Sequence, residues 1–269
     1  MNKFYILLVF FIYTSISATA QTLSVPAEIK ITYDYSFKKD STISSYQNDR
    51  MELYVGGGLS LFRSALTAAR DSARRSLLDQ GYDPQSAVYE LSDWPKGSSW
   101  YVYKEWKSRN ATYFNEFSGI TYKSDDNISA PVWNITTDTM TIHGYLCTKA
   151  TTEFLGRKWT AWYTPDIPVP DGPWLLWGLP GAIMQAEDEN SYFIFKTAGL
   201  KVFDIPETHT LPHERSKLRN ASFSRILRLE RLAAENSTAL IELIYGVTVT
   251  SSQPVTARPY LPIAIISRK

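Results

Sequence analysis

The strongest constraint on the fold is an alternation of apolar and polar residues along positions 28–37. Its apolar positions are Ile29, Ile31, Tyr33, Tyr35 and Phe37, with polar residues between them. Because successive side chains of a β-strand point to opposite faces, this pattern predicts a half-buried strand. The pattern recurs at Met51, Leu53 and Val55, and three consecutive glycines then end that segment.

Later apolar segments occur in pairs that are separated by short turn sequences. The paired segments are 145–154 with 157–163, and 182–188 with 192–197. Such pairs predict β-hairpins, with turns at Leu155-Gly156 and Glu189-Asn190-Ser191. We expect a further strand at 100–106 that is buried on both faces. Closing strands are expected over 239–250 and 260–267.

Two segments change to a helical period. Over 59–80 the apolar positions share one helical face, and Gly81 is a suitable stop. These positions are Phe62, Leu66, Ala69, Ala73 and Leu77. Near the C-terminus, Ile226 and Leu229 predict a second helix within a stretch rich in arginine. We interpret that charge as a solvated face, with an acidic partner or lipid headgroups as the alternative.

Together these patterns predict an α+β fold. Its core would be a curved, mostly antiparallel, half-barrel-like sheet with the long helix 59–80 packed on it and a second, basic helix near the C-terminus. The chain would form a single domain over 21–269. Lys and Arg number 28 against 27 Asp and Glu, which argues against a general nucleic-acid binder.

The first 20 residues have the pattern of an export signal. Lys3 precedes an apolar run, and Ala18-Thr19-Ala20 provides small residues for cleavage. The apolar run is too short to cross a membrane, which takes about 20 residues. We therefore expect an exported protein that starts at Gln21, in the periplasm or outside the cell, without a transmembrane segment. A retained membrane anchor is the alternative.

A Pro-rich segment with two tryptophans follows the first hairpin. Its prolines are Pro168, Pro170, Pro173 and Pro180, and it also holds Trp174 and Trp177. Such a loop is stiff and cannot pair along its length as a strand. We expect a rigid apolar lid that packs on the sheet or closes over a cavity. A ligand or partner surface is expected at Trp162, Tyr163, Trp174 and Trp177. Gly178, Leu179, Pro180 and Gly181 would form a structural motif that sets the backbone.

Residues 144–183 combine several sequence blocks. They are 144–150, 154–157, 161–168, Gly172-Pro173 and 178–183. In identity and spacing these blocks resemble the GLPGLI family of exported bacterial proteins, and the likeness extends over about 28–200. One departure is Ala182, where the family name has leucine. The resemblance implies an exported protein with no established activity and no catalytic residues.

The resemblance also implies two biological contexts. Genes of the family often lie near those of TonB-dependent outer-membrane receptors. The strand and loop pattern looks similar to periplasmic half-barrel carriers of the lipoprotein-sorting kind. We therefore consider two non-enzymatic functions. In the first, a hydrophobic molecule or peptide binds between the sheet and helix 59–80. In the second, the chain is an accessory subunit of such a receptor.

Candidate chemical groups are few. His143 and Cys147 would share a strand face and could form a base and a nucleophile, although a buried structural cysteine is the simpler interpretation. His209 and His213 have the spacing of a zinc pair but lack a third ligand, so a solvated loop is favoured. The carboxylates near the Pro-rich segment are Asp166, Asp171, Glu187 and Asp188, and two of them facing a cleft could serve a hydrolase. Asp166 and Asp171 flank prolines in a loop, so turn chemistry is favoured. We expect neither catalytic residues nor a metal or other cofactor.

Overall fold

The computed structural model describes residues 23–211, 217–249 and 259–265. The segment predicted to be a signal, with its cleavage site after Ala20, lies outside the described residues. His213 and part of the closing strand predicted at 260–267 also lie outside them. Among the helices that are described, none has the length and apolar character needed to cross a membrane.

Thirteen strands form one sheet in the described part of the chain. They are β1 Ser24–Phe37, β2 Gln47–Gly56, β3 Leu59–Ser64, β4 Tyr101–Glu105, β5 Asn110–Phe117, β6 Ile120–Ser124, β7 Ile128–Ser129, β8 Asn134–Ile142, β9 Tyr145–Phe154, β10 Arg157–Thr164, β11 Ala182–Asp188, β12 Phe193–Thr210 and β13 Lys217–Ala221. The helices are α1 Ala65–Asp79, α2 Pro84–Glu90, α3 Phe223–Glu235 and α4 Ser237–Tyr245.

The sheet follows the order β13-β6-β5-β4-β3-β2-β1-β12-β11-β10-β9-β8, and β7 pairs with β5. Neighbouring strands are antiparallel except β13 and β6, which run parallel. A large, mostly antiparallel sheet with four helices confirms the predicted α+β class. Both predicted hairpins are present as β9 with β10 and β11 with β12. Leu155 and Gly156 adopt positive φ angles in the first turn.

Strand β4 replaces the longer strand predicted at 100–106. Tyr101 and Val102 are both buried on opposite faces of it, as the two-sided apolar pattern indicated. Its last residue, Glu105, is exposed and marks the end of the doubly buried part. The predicted burial on both faces therefore holds for the first half of the strand.

The segment 59–80, predicted to be one helix, forms the strand β3 followed by the shorter helix α1. Phe62 pairs with Leu53 on one side and Val102 on the other, so β3 lies inside the sheet. The helix begins after Ser64, whose hydroxyl accepts a hydrogen bond from the Thr67 N–H at 3.1 Å. None of the residues of α1 is fully buried. Over residues 59–64, pairing with β2 and β4 therefore overrides the local helical pattern. The helix α1 packs only lightly on the sheet, since none of its side chains is fully buried.

The basic helix α3 provides the helical packing on the sheet. It buries Phe223, Ile226 and Leu229 against the core, as its apolar period predicted. The arginines Arg225 and Arg228 point to solvent, in agreement with the solvated-face interpretation. α3 therefore buries an apolar helical face of the kind that was expected of helix 59–80.

The predicted closing strand at 239–250 is wrong, because Ser237–Tyr245 forms the helix α4. Asn236 caps its start and Gly246 ends it in a left-handed conformation with φ 67°. Leu240 and Ile244, four residues apart, are buried on one helical face. That spacing fits a helix packed beside α3.

Candidate functional site

A groove of about 890 Å³ lies between the sheet, the helices α3 and α4, and the C-terminal segment 259–265. We call it the aromatic groove because large rings form much of its lining. These rings are Tyr35, Phe37, Trp100, Phe117, Phe193 and Tyr260. Its volume lies within the range of roughly 300–1,000 Å³ that is typical of small-molecule sites.

The alternating pattern of β1 places two of these rings on the groove side. Tyr35 stacks on Phe195 with ring centroids 4.4 Å apart and on Phe37 at 4.7 Å. Trp100 contacts Tyr35 edge-on at 6.1 Å. Such mutual contacts hold the rings in place before any ligand binds, which lowers the entropy lost on binding.

A carboxyl group from α3 lies in the wall of the groove. Glu230 accepts hydrogen bonds from the Tyr260 hydroxyl at 2.5 Å, the Tyr113 hydroxyl at 3.2 Å and the Asn115 amide at 3.3 Å. Burial raises the pKa of the Glu230 carboxyl, while these donors oppose the shift. The Glu230 carboxyl is therefore a polar anchor in a mostly apolar cavity.

A second carboxylate lies where β2 meets the start of α1. Asp49 accepts hydrogen bonds from the Ser64 hydroxyl at 2.9 Å and the Ser98 N–H at 2.6 Å. Gly97 passes so close that an added Cβ would lie 1.9 Å from the Ser64 Oγ. Only glycine therefore allows segment 96–100 to reach Asp49 and form the rim of the groove.

The C-terminal segment 259–265 closes one side of the groove through main-chain contacts. The Leu261 N–H donates to the Lys39 carbonyl at 2.7 Å. The guanidinium of Arg157 donates to the Ile263 carbonyl at 3.0 Å and to Asp188 at 2.9 Å. Both charged side chains are buried. Asp188, the last residue of β11, therefore holds Arg157 in place.

The Pro-rich loop contains a second buried ion pair. Asp171 is fully buried and pairs with Lys104, which is also fully buried. Its carboxylate further accepts from the Ser60 hydroxyl at 2.6 Å and the Trp106 indole at 2.9 Å. Asp171 thus anchors the loop to β3 and β4, and its interpretation as an exposed turn residue is wrong. Asp166 is exposed, as that interpretation required.

Three of the four aromatic residues expected to form a ligand or partner surface are buried. Trp174 is 0% and Trp177 is 3% exposed, and Tyr163 is also buried. Trp162 is half-buried, with the Lys149 ammonium 6.0 Å from its ring centroid. None of the four belongs to the described lining of the aromatic groove. The consecutive apolar residues 174–177 are all buried, so this part of the loop packs into the core.

The Gly-Leu-Pro-Gly segment has the geometry of a backbone motif. Gly178 has φ 90°, which disfavours residues with a Cβ. A Cβ added to Gly181 would lie 2.0 Å from the Thr164 carbonyl oxygen. Leu179 is buried between these glycines, and Pro180 is exposed. This arrangement joins the Pro-rich loop tightly to the end of β10.

The histidine and cysteine candidates lie in a turn and in the strand that follows it. His143 lies in the turn before β9 with φ 49°, and its Nε2 is 2.7 Å from the Thr197 carbonyl oxygen. Cys147 is fully buried in β9. Because His143 lies in the turn and Cys147 in the strand, the two residues do not share the strand face that was expected. Burial raises the pKa of the Cys147 thiol, which disfavours the reactive thiolate.

His209 is part of β12 and does not lie in a solvated loop. Its ring stacks on Tyr54 with centroids 3.7 Å apart. Burial and the charge of Arg63 lower the pKa of His209. Within the described ranges, no group of three or more His, Cys, Asp or Glu side chains could hold a metal ion.

Sequence reasoning missed the residues that line the aromatic groove. The alternation over 28–37 placed Tyr35 and Phe37 on the buried face, but it carried no sign that a cavity lies beside them. Glu230 lies within the stretch rich in arginine, and no motif in its sequence context marks it as a site residue. Its position among Ile226 and Leu229 was the available signal, because it lies one turn beyond Ile226.

Comparisons with known proteins add little about function. Residues 156–185 match a family described as a protein of unknown function, Porph_ging. This segment runs from β10 through the Gly-Leu-Pro-Gly motif to β11, and the matched family is uncharacterised. No curated protein matches the chain.

Several solved structures are similar to the chain at low identity. PNGF-II, solved in two crystal forms, is 16% and 15% identical with a TM-score of 0.48 in each, over 74% and 73% of this chain and 32% and 31% of that chain. The LolA superfamily protein NE2245 from Nitrosomonas europaea is 9% identical with a TM-score of 0.27, over 67% of this chain and 88% of that chain. The chain thus spans about a third of PNGF-II. At these levels the likenesses carry no argument about function.

Proposed function

We propose that this protein is a non-enzymatic, exported envelope protein that binds a hydrophobic molecule or peptide in the aromatic groove. The observation that carries the proposal is a cavity of about 890 Å³ lined by six aromatic rings. Burial of apolar ligand surface against such rings would drive binding, at roughly 25 cal/mol per Å² before the entropic costs of association. The polar groups of Glu230 and Asp49 would orient the ligand.

The site differs from the one expected from the sequence. The binding surface was expected between the sheet and helix 59–80, whereas the groove lies beside α3 and α4. The accessory-subunit hypothesis relied on Trp174 and Trp177 as an exposed contact, and both are buried. We therefore favour ligand binding over the receptor hypothesis and over a Cys/His enzyme.

We further propose that the chain is a GLPGLI-type protein with a half-barrel-like sheet, exported after cleavage behind Ala20. The match of residues 156–185 to an uncharacterised family is consistent with this proposal. Export is tested by the intact mass of the protein recovered from envelope fractions. A chain that starts at Gln21 supports it, and a chain that retains Met1 contradicts it.

Ligand binding is tested with the neutral apolar dye N-phenyl-1-naphthylamine and a variant that fills the groove. Ala234 on α3 lines the groove, so Ala234→Trp should weaken dye binding at least about tenfold. Arg228→Trp is the matched control, because Arg228 is exposed on the same helix. Equal dye affinity in both folded variants would refute binding in the groove. If Ala234→Trp alone weakens dye binding, native mass spectrometry of the protein from its source cells would identify the natural ligand.

A further inference from the structure

A second cavity of about 280 Å³ lies beside the start of α1. We call it the basic pocket because four cationic side chains line it. They are Arg63, Arg70, Arg74 and Lys96. The hydroxyl-bearing residues Ser98, Ser99 and Thr67 line the same cavity. The pocket therefore brings four cationic side chains together within a small volume.

Two carboxylates face these four cations. Asp71 pairs with Arg74 at 3.4 Å within α1. Burial raises the pKa of the Glu116 carboxyl, and the negative charge of Asp71 raises it further. The described lining therefore holds two more cations than carboxylates, and one carboxylate is disfavoured in its charged form.

The cations also retain hydrogen-bonding capacity. The Nε of Arg63 is buried and has no hydrogen-bond partner among the described residues. Its guanidinium lies 5.2 Å from the ring centroid of Tyr54, which fixes its plane. Arg70 donates through one nitrogen to the Trp94 carbonyl at 3.2 Å, an exposed contact. The buried Nε of Arg63 is therefore a donor that the described contacts leave unsatisfied, which is unfavourable.

The backbone adds to the same positive potential. Thr67 and Ala68 belong to the first turn of α1, which extends over fifteen residues. The N-terminus of a helix carries a partial positive charge, because its first N–H groups have no partner within the helix. No acidic residue lies in the first turn of α1 to neutralise this charge. The helix end and the arginine side chains therefore favour the same sign of ligand charge.

We propose that the basic pocket binds an oxyanionic group, namely a phosphate. Arginine is suited to this group, because its planar guanidinium donates two parallel hydrogen bonds to two oxygens. The basic pocket adjoins the aromatic groove, since residues 96–100 and Glu116 line both. The group could thus reach the pocket as a free anion or as the headgroup of an amphiphile whose apolar part lies in the groove.

The experiment compares two probes at constant ionic strength by calorimetric titration. Inorganic phosphate tests the free anion, and dodecyl phosphate below its micelle concentration tests the headgroup. The variant Arg70→Gln/Arg74→Gln removes two cations from the pocket, and both side chains reach solvent, so the fold should persist. Arg225→Gln/Arg228→Gln is the matched control on the exposed face of α3.

We expect saturable binding of at least one probe that the α1 variant weakens at least about tenfold and the α3 control leaves unchanged. Weakened binding of phosphate identifies a site for free anions. Weakened binding of dodecyl phosphate alone identifies a headgroup site. Equal weakening in both variants overturns the proposal, and so does saturable binding of neither probe. If the α1 variant weakens neither probe and dodecyl phosphate still binds, the proposal is also overturned, while ligand binding in the aromatic groove stays intact.

Discussion

The ammonium group of Lys104 and the carboxylate of Asp171 form an ion pair in which neither side chain is exposed to solvent. The pair joins β4 to the Pro-rich loop across 67 residues of sequence. The Gly172 carbonyl accepts a further hydrogen bond from Lys104 at 2.7 Å. Because both charges are enclosed and satisfied by several partners, each depends on the other being present.

Removal of one partner of this pair should strongly destabilise the protein. Asp171→Asn leaves Lys104 buried without a counter-charge, so we expect the free energy of unfolding to fall by about 3–5 kcal/mol. Asp166→Asn is the control from the same loop, because Asp166 is exposed, and its effect should stay within about 0.5 kcal/mol. Urea unfolding measures both. A loss below about 1 kcal/mol for Asp171→Asn would show that the pair is unimportant for stability.

Substitution at the second glycine of the Gly-Leu-Pro-Gly motif should also destabilise the fold. In Gly181→Ala the added Cβ meets the Thr164 carbonyl oxygen, and this backbone atom cannot move without shifting β10. We expect a loss of about 1–3 kcal/mol in the free energy of unfolding. Gly199→Ala is the control, since nothing lies within 4 Å of its added Cβ.

Pro180→Ala should have a milder effect of about 0.4–1 kcal/mol, through the entropy of the unfolded chain. Thermal melts of the three variants would establish the order. If Gly181→Ala keeps native stability but abolishes dye binding, the motif is a functional site and its structural interpretation is wrong.

The stability of the protein should depend on the ionisation of Glu230. Because burial raises the pKa of Glu230 above 4.5, the folded state keeps a proton that the unfolded state has released. This contribution to stability is present below the unfolded-state pKa and is lost as the pH rises through the folded-state pKa.

Glu230→Gln stays uncharged at every pH and tests this dependence. Its melting temperature relative to the wild type should therefore rise as the pH is raised from about 4.5. Glu235→Gln, on the same helix, controls for the loss of one negative charge. Calorimetric scans between about pH 4 and pH 8 provide the comparison. A difference between Glu230→Gln and the wild type that is constant with pH would disprove the link to Glu230.

The thiol of Cys147 should be unreactive in the native protein. It is fully buried and burial raises its pKa, so both access and thiolate formation are disfavoured. We expect a chromogenic disulfide reagent to label it slowly in buffer and fully in denaturant. Rapid labelling of the native protein would contradict this prediction and support the hypothesis of a Cys/His enzyme.

Local patterns in the sequence determined much of the fold. Alternation along 28–37 predicted β1, and turn sequences such as Leu155-Gly156 predicted both hairpins, because side-chain direction and turn geometry are properties of neighbouring residues. The apolar period of α3 and its exposed arginines also followed from the sequence. Positions 59–64 were misassigned, since their strand state depends on pairing with β2 and β4, which lie elsewhere in the chain.

Only the tertiary structure decided where charge and cavities lie. The sequence showed Asp171 between a proline and a glycine, which is also the context of an exposed turn residue. Its burial depends on Lys104 and Ser60, which the sheet brings to it from other strands. The aromatic groove likewise combines β1, α3 and segment 259–265. A sequence reports the periodicity of one segment, whereas a cavity or a buried ion pair is set by the distance between segments, which only folding establishes.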